Sequence, residues 1–146
     1  MSNPIVLDAS PLALLCHPNT QLQVVREINL WLEDRVTAGS AVHVAEIAAY
    51  EVRRELLRAG KLRSIRKLDL LLAQLVYLPL DTAHMRRAAE LWAHARQHGL
   101  PTAPPEALDA DVILAAQAER VGAVVATENV GHLARFVPAK HWRDIT

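Results

Sequence analysis

The strongest constraint on this chain is an alternation: short apolar, β-branched runs separated by longer stretches with apolar residues at helical spacing. Ile5-Val6-Leu7 reads as a strand ending at Asp8, and Ser10-Pro11 offers an N-cap and an N1 proline for a short helix. Residues 21–37 place Leu22, Val25, Ile28, Leu32 and Val36 on one helical face, closed by Ala38-Gly39-Ser40. A second strand is expected over 42–44, then helices over 46–59, stopped by Gly60, and over 62–74. Residues 75–80 predict a third strand, and Thr82 is placed to cap a long helix reaching His98. A proline-rich loop runs from Gly99 through Pro104 and Pro105. Val112, Leu114, Ala115 and Ala118 predict a helix over 109–120, and Gly122 sets it apart from a last strand over 123–127. Strands alternating with helices call for a parallel sheet covered on both faces, so the expected fold is α/β, three-layer α/β/α with a central parallel sheet. A length of 146 residues fits one domain over 1–146.

Composition closes off several classes. With 51% apolar and 22% charged residues, the chain is too apolar for disorder. Its longest apolar stretch, 70–80, is broken by Gln74 and falls short of the roughly 20 residues that span a bilayer. Asp8 interrupts the N-terminal apolar run, which also lacks a basic flank, so no signal peptide is expected. Cys16 is the lone cysteine, which excludes an intrachain disulfide or a thiolate zinc site and makes a cytoplasmic location the expectation. Sixteen basic and sixteen acidic residues cancel, but not evenly along the chain. Residues 53–67 are locally cationic, with Arg53, Arg54, Arg58, Lys61, Arg63, Arg66 and Lys67 against Glu55. Residues 106–128 are locally anionic, with Glu106, Asp109, Asp111, Glu119 and Glu128 against Arg120.

In an open α/β sheet, ligands gather outside the carboxyl ends of the strands. Asp8 follows the first strand, Asn129 follows the last in Thr127-Glu128-Asn129, and Asp109 and Asp111 open the helix between them. Glu51 stands one position off the apolar row Ala48, Val52 and Leu56, at the margin of a buried helical face. Each has a purely structural role within reach. Asp8 can cap a helix, and Asp109 and Asp111 can complement a helix dipole for about 0.3–1 kcal/mol each. Glu51 can pair with Arg54, and Asn129 can sit in a turn before Gly131. Together they say more, because carboxylates meeting in one crevice repel by about 4 kcal/mol per close pair at an effective dielectric near 20. Such a cluster calls for a cation, and oxygen ligands favour a hard one, Mg²⁺ or Mn²⁺.

Four segments carry a resemblance: Val6-Leu7-Asp8-Ala9-Ser10, residues 50–56 (Tyr50-Glu51-Val52-Arg53-Arg54-Glu55-Leu56), residues 108–116 around Asp111, and residues 125–133 around Asn129. In this order and spacing the chain resembles, nearly end to end, the PIN-domain nucleases and in particular the VapC-type ribonuclease toxins. The resemblance implies metal-assisted hydrolysis of RNA phosphodiesters. It implies Asp8, Glu51 and Asp111 as ligands of one or two Mg²⁺ or Mn²⁺ ions, with Asn129 as the fourth position of the catalytic set. Asp111 is preferred to Asp109 because the family acid stands three places before the run that here is Leu114-Ala115-Ala116; Asp109 remains an accessory. Glu51 is preferred to Glu46. Ser10 and Thr127 would support the site, and Arg53, Arg54 and Arg58 would steer the RNA backbone. Two positions depart from the commoner pattern: Asp-Ala-Ser replaces Asp-Thr-Asn, and the last position is an amide, leaving three carboxylates rather than four. The family also implies a homodimer and a cognate antitoxin as partner.

Two rivals stand beside this reading. Seven histidines allow a metal-free ribonuclease, and His94 and His98 share a helical face with Glu90, but no HExxH motif accompanies them. The other is a catalytically weak PIN module that binds RNA or a protein. A nucleotide-binding module falls away, because the five glycines form no phosphate-binding fingerprint.

Overall fold

The computed structural model describes residues 3–99 and 105–146, without the side chains of 105–107. In chain order the elements are β1 (Ile5–Leu7), α1 (Ala9–Leu15), α2 (Gln23–Thr37), β2 (Val42–Ala45), α3 (Glu46–Arg58), α4 (Leu62–Gln74) and β3 (Val76–Leu78). Then come α5 (Thr82–Gln97), α6 (Pro105–Arg120), β4 (Val124–Thr127), α7 (Val130–Leu133), β5 (Ala139–His141) and a 3-10 turn at Trp142–Asp144. All strand pairs are parallel, in the order β3-β2-β1-β4-β5. This is the three-layer α/β architecture expected from the alternation.

The sheet is dry at its centre and wet at its edges. Every residue of β1 and β2 is buried, as strands covered on both faces should be, and β4 is buried from Val125 onward. The edge strands are half exposed: Val76 and Tyr77 of β3 and Lys140 of β5 face solvent. Leu7, Leu12, Leu68, Leu108, Leu114 and Trp142 fill the core on either side. Gly60 (φ +67°) and Gly122 (φ +64°) follow the caps of α3 and α6 in the left-handed region that stops a helix.

Several boundaries differ from the sequence expectation, each for a local reason. Asp8, not Ser10, caps α1, its carboxylate accepting from the Ala9 N–H at 2.8 Å. Pro11 therefore falls inside the first turn, where a missing N–H costs nothing. Asp81, not Thr82, caps α5: it accepts from the His84 N–H at 2.8 Å while His84 Nδ1 accepts from the Asp81 N–H at 3.1 Å. Asp81→Ala is expected to cost about 1 kcal/mol of stability, the usual loss for an N-cap, read as a lower urea midpoint. Helix α6 starts at Pro105, so Asp109 and Asp111 lie beyond its first turn and do not open it. Residues 100–104 of the expected proline-rich loop lie outside the described residues. The last strand is β5 rather than β4, and α7 occupies what reads as a turn.

Candidate active site

The chain leaves β1 for β2 on one side and β4 for β5 on the other, so the crevice between β1 and β4 is the switch point of the sheet. Asp8 closes β1 and Asn129 lies just past β4, which puts both at that crevice. A cleft of about 260 Å³ opens there, lined by Asp8, Ala9, Ser10, Glu51, Asp111, Asn129, His132 and Leu133. Glu51 arrives on α3, which follows β2 with no intervening loop, and Asp111 arrives on α6. Four distant segments thus converge.

Asp8 is held on both carboxylate oxygens. One accepts from the Ala9 N–H at 2.8 Å, and the other from the Thr127 hydroxyl at 2.8 Å. Thr127 is fully buried, and its oxygen accepts in turn from the Asn129 N–H at 2.9 Å, which fixes its rotor. The hydroxyl therefore locks the ends of β1 and β4 together at the mouth of the cleft. Asp111 contrasts with Asp8, since its Oδ2 is buried and has no hydrogen-bond partner among the described residues.

Titration reflects the crowding. Burial pushes the Asp8 carboxyl above its ordinary value, opposed by the Thr127 hydroxyl and the Ala9 N–H. Glu51 is pushed up to about 7, first by burial and then by the charges of Asp8 and Asp111, with Arg54 pulling the other way. Asp111 is pushed up to about 6 by burial and by Asp8, against His132 and Arg135. A carboxyl whose folded pKa is raised binds more protons folded than unfolded, so its ionisation destabilises the fold. For Glu51 that loss develops as pH climbs from about 4.5 toward about 7. In EDTA the melting temperature is expected to fall as pH rises through this window, and to fall less in Glu51→Gln, in paired thermal melts.

Among the described residues, no three His, Cys, Asp or Glu side chains are close enough to clasp one ion directly. The donor set nevertheless fits a hard, water-carrying cation. Three repelling carboxylates line one cleft, and the buried Asp111 oxygen has no other partner among the described residues. Mg²⁺ keeps several of its waters and needs only one or two direct carboxylates, the rest being reached through water.

The other expected residues divide. Ser10 lines the cleft. Glu46 does not: its Oε1 accepts from the Leu80 N–H at 2.7 Å, just past the C-terminal end of the edge strand β3. Asp109 is exposed and lines an apolar groove with Met85, Trp92 and Ile113 between α5 and α6. Arg53 pairs with Asp69, and Arg58 pairs with Glu55 one turn back. Arg54, stacked over Tyr50 with its guanidinium carbon 5.2 Å from the ring centroid, is the member of the trio whose charge reaches Glu51. Sequence reasoning passed over His132 and Arg135. Arg135 donates from Nε and Nη2 to the His132 carbonyl at 3.2 and 3.1 Å. The available signal was helical spacing, which returns His132 to the side of Asn129.

Residues 5–136 match the family model for the PIN domain. The chain belongs to the PIN-domain family. Domains of this family are generally nucleases and typically use divalent metals. Several solved structures share the fold. VapBC2 from Rickettsia felis, bound to a DNA fragment of its promoter, aligns with TM-score 0.72 at 18% identity, covering 94% of this chain and 98% of that one. FitAcB from Neisseria gonorrhoeae gives 0.70 at 20% identity over 96% and 99%, and VapBC-1 from nontypeable Haemophilus influenzae gives 0.68 at 18% over 96% and 98%. Comparison with curated protein sequences finds no match. No described helix of this PIN domain is long and apolar enough to cross a membrane.

Proposed function

We propose that this PIN domain is a metal-dependent endoribonuclease hydrolysing RNA phosphodiester bonds, the toxin of a toxin-antitoxin pair, active as a homodimer and restrained by a cognate antitoxin. The observation that carries the catalytic part is the convergence of Asp8, Glu51 and Asp111 on one cleft at the sheet's switch point, with a buried Asp111 oxygen unsatisfied. The antitoxin part is supported by structural likeness to toxin-antitoxin complexes such as VapBC2.

Asp8, Glu51 and Asp111 would hold Mg²⁺ or Mn²⁺, with Ser10 and the Asn129 amide orienting water around it. When bound, the ion lowers the pKa of a water and offsets charge developing on the phosphate. The chain's own contribution is placement: Thr127 and the Ala9 N–H fix Asp8, so its carboxylate need not reorganise when substrate arrives. Arg54 and Arg135 bring positive charge to an otherwise acidic cleft and, with His132 on its lining, would meet the RNA backbone, giving affinity that is blind to sequence and weakened by salt.

Single-stranded RNA incubated with the purified protein tests the reading. Cleavage is expected to stop with chelator and return with Mg²⁺ or Mn²⁺. Cleavage indifferent to chelator would point to the histidines, and RNA binding without cleavage to a catalytically weak module.

A further inference from the structure

Helix α3, which carries Glu51, has no cap of its own. Its N-cap residue is Ala45, whose side chain accepts nothing, although the first N–H groups of any helix need acceptors. The acceptor comes from another helix. Gln117 on α6 places Oε1 3.4 Å from the Ile47 N–H, across 70 residues of sequence, and its Nε2 donates to the Leu78 carbonyl at 2.8 Å. Gln117 is wholly buried, in a stretch of α6 where Ala115, Ala116 and Ala118 are buried too. A buried amide is costly unless its donor and acceptor are both paired, and an apolar residue of similar volume would fill the same space without that demand. The amide is therefore better explained by its two bonds than by packing.

We propose that Gln117 is a positioning residue: by capping α3 from α6, it sets the spacing of Glu51 and Asp111 across the cleft. A serine or aspartate at position 45 would satisfy the same N–H and stabilise α3 alone. A cap delivered from α6 does something a local cap cannot, which is to fix the height and distance of one helix against the other. Ile47 lies one turn before Glu51, and Gln117 lies less than two turns after Asp111. The link thus sits close behind two carboxylates that repel each other. Glu46 braces the same joint, its carboxylate accepting from the Leu80 N–H at 2.7 Å just past the strand end that Gln117 holds. Gln117 is absent from the cleft lining, so its influence runs through α3.

This inference rests on the proposed ion site, and Mn²⁺ alone serves as the probe. Gln117→Met, which keeps the bulk and removes both bonds, is expected to weaken Mn²⁺ binding by about 10- to 100-fold, the usual cost of losing a group that orients metal ligands. Adding Ala45→Ser supplies a local acceptor for the same turn. The double variant is expected to regain melting temperature in EDTA while its Mn²⁺ affinity stays low, because the link between the helices is still missing. Affinity that returns together with stability would overturn the proposal, since capping alone would then account for the residue. So would a Gln117→Met protein that binds Mn²⁺ as wild type does, or failure of both variants to fold, which would make the amide a stability element. Wild type that binds no Mn²⁺ would overturn the ion site itself and this inference with it, an outcome distinct from wild-type binding unchanged by the substitution.

Discussion

Asp111→Asn is expected to leave the protein folded and to reduce RNA cleavage by about 10²- to 10³-fold, the scale seen when a group that stabilises developing charge is removed. Two features make this the most damaging single change. Asp111 Oδ2 is a buried oxygen with no partner among the described residues, so its place in the structure makes sense through what the cleft would hold. Its charge also presses on Glu51, so removing it relieves repulsion in the metal-free protein. Melting temperature in EDTA should therefore not fall below that of wild type, while cleavage under Mg²⁺ is lost. A folded Asp111→Asn protein that cuts RNA normally would refute the assignment.

Thr127→Val is the second large effect, and it separates placement from ligation. Valine matches threonine in shape but leaves one oxygen of Asp8 and the Asn129 N–H without their shared partner in a buried spot. The expected loss is about 1–3 kcal/mol of stability and about 10- to 100-fold in Mn²⁺ affinity. Thr127→Ser keeps the hydroxyl and should recover most of the affinity. Urea unfolding and Mn²⁺ titration of the two variants check this; a Thr127→Val protein with wild-type affinity would show that Asp8 needs no such anchor.

What the sequence revealed followed from burial. Strands β1, β2 and β4 lie inside the sheet, so Ile5-Val6-Leu7 and Val124-Val125-Ala126 are apolar without interruption and legible as strands, and Asp8 stands out as the first charge after one of them. Strand β5 lies at the edge, where Ala139-Lys140-His141 needs no apolar pattern and gives no signal. The sites blurred for similar reasons. Asp109 and Asp111 both look like first-turn acids when the helix is started at its apolar pattern. Two positions apart, they stand about 200° from each other around the helix, which turns Asp109 out to solvent and leaves Asp111 at the cleft. The arginine cluster reads as a uniform cationic face, yet Asp69 and Glu55 engage Arg53 and Arg58. Gln117 is invisible in the sequence because its partners are 70 and 39 residues away.

Anomalous diffraction from a crystal soaked in Mn²⁺ tests the central claim most directly. The account predicts a peak in the cleft between β1 and β4, among Asp8, Glu51 and Asp111. A peak only elsewhere, or an empty cleft in a protein that still cuts RNA in the presence of chelator, would contradict it.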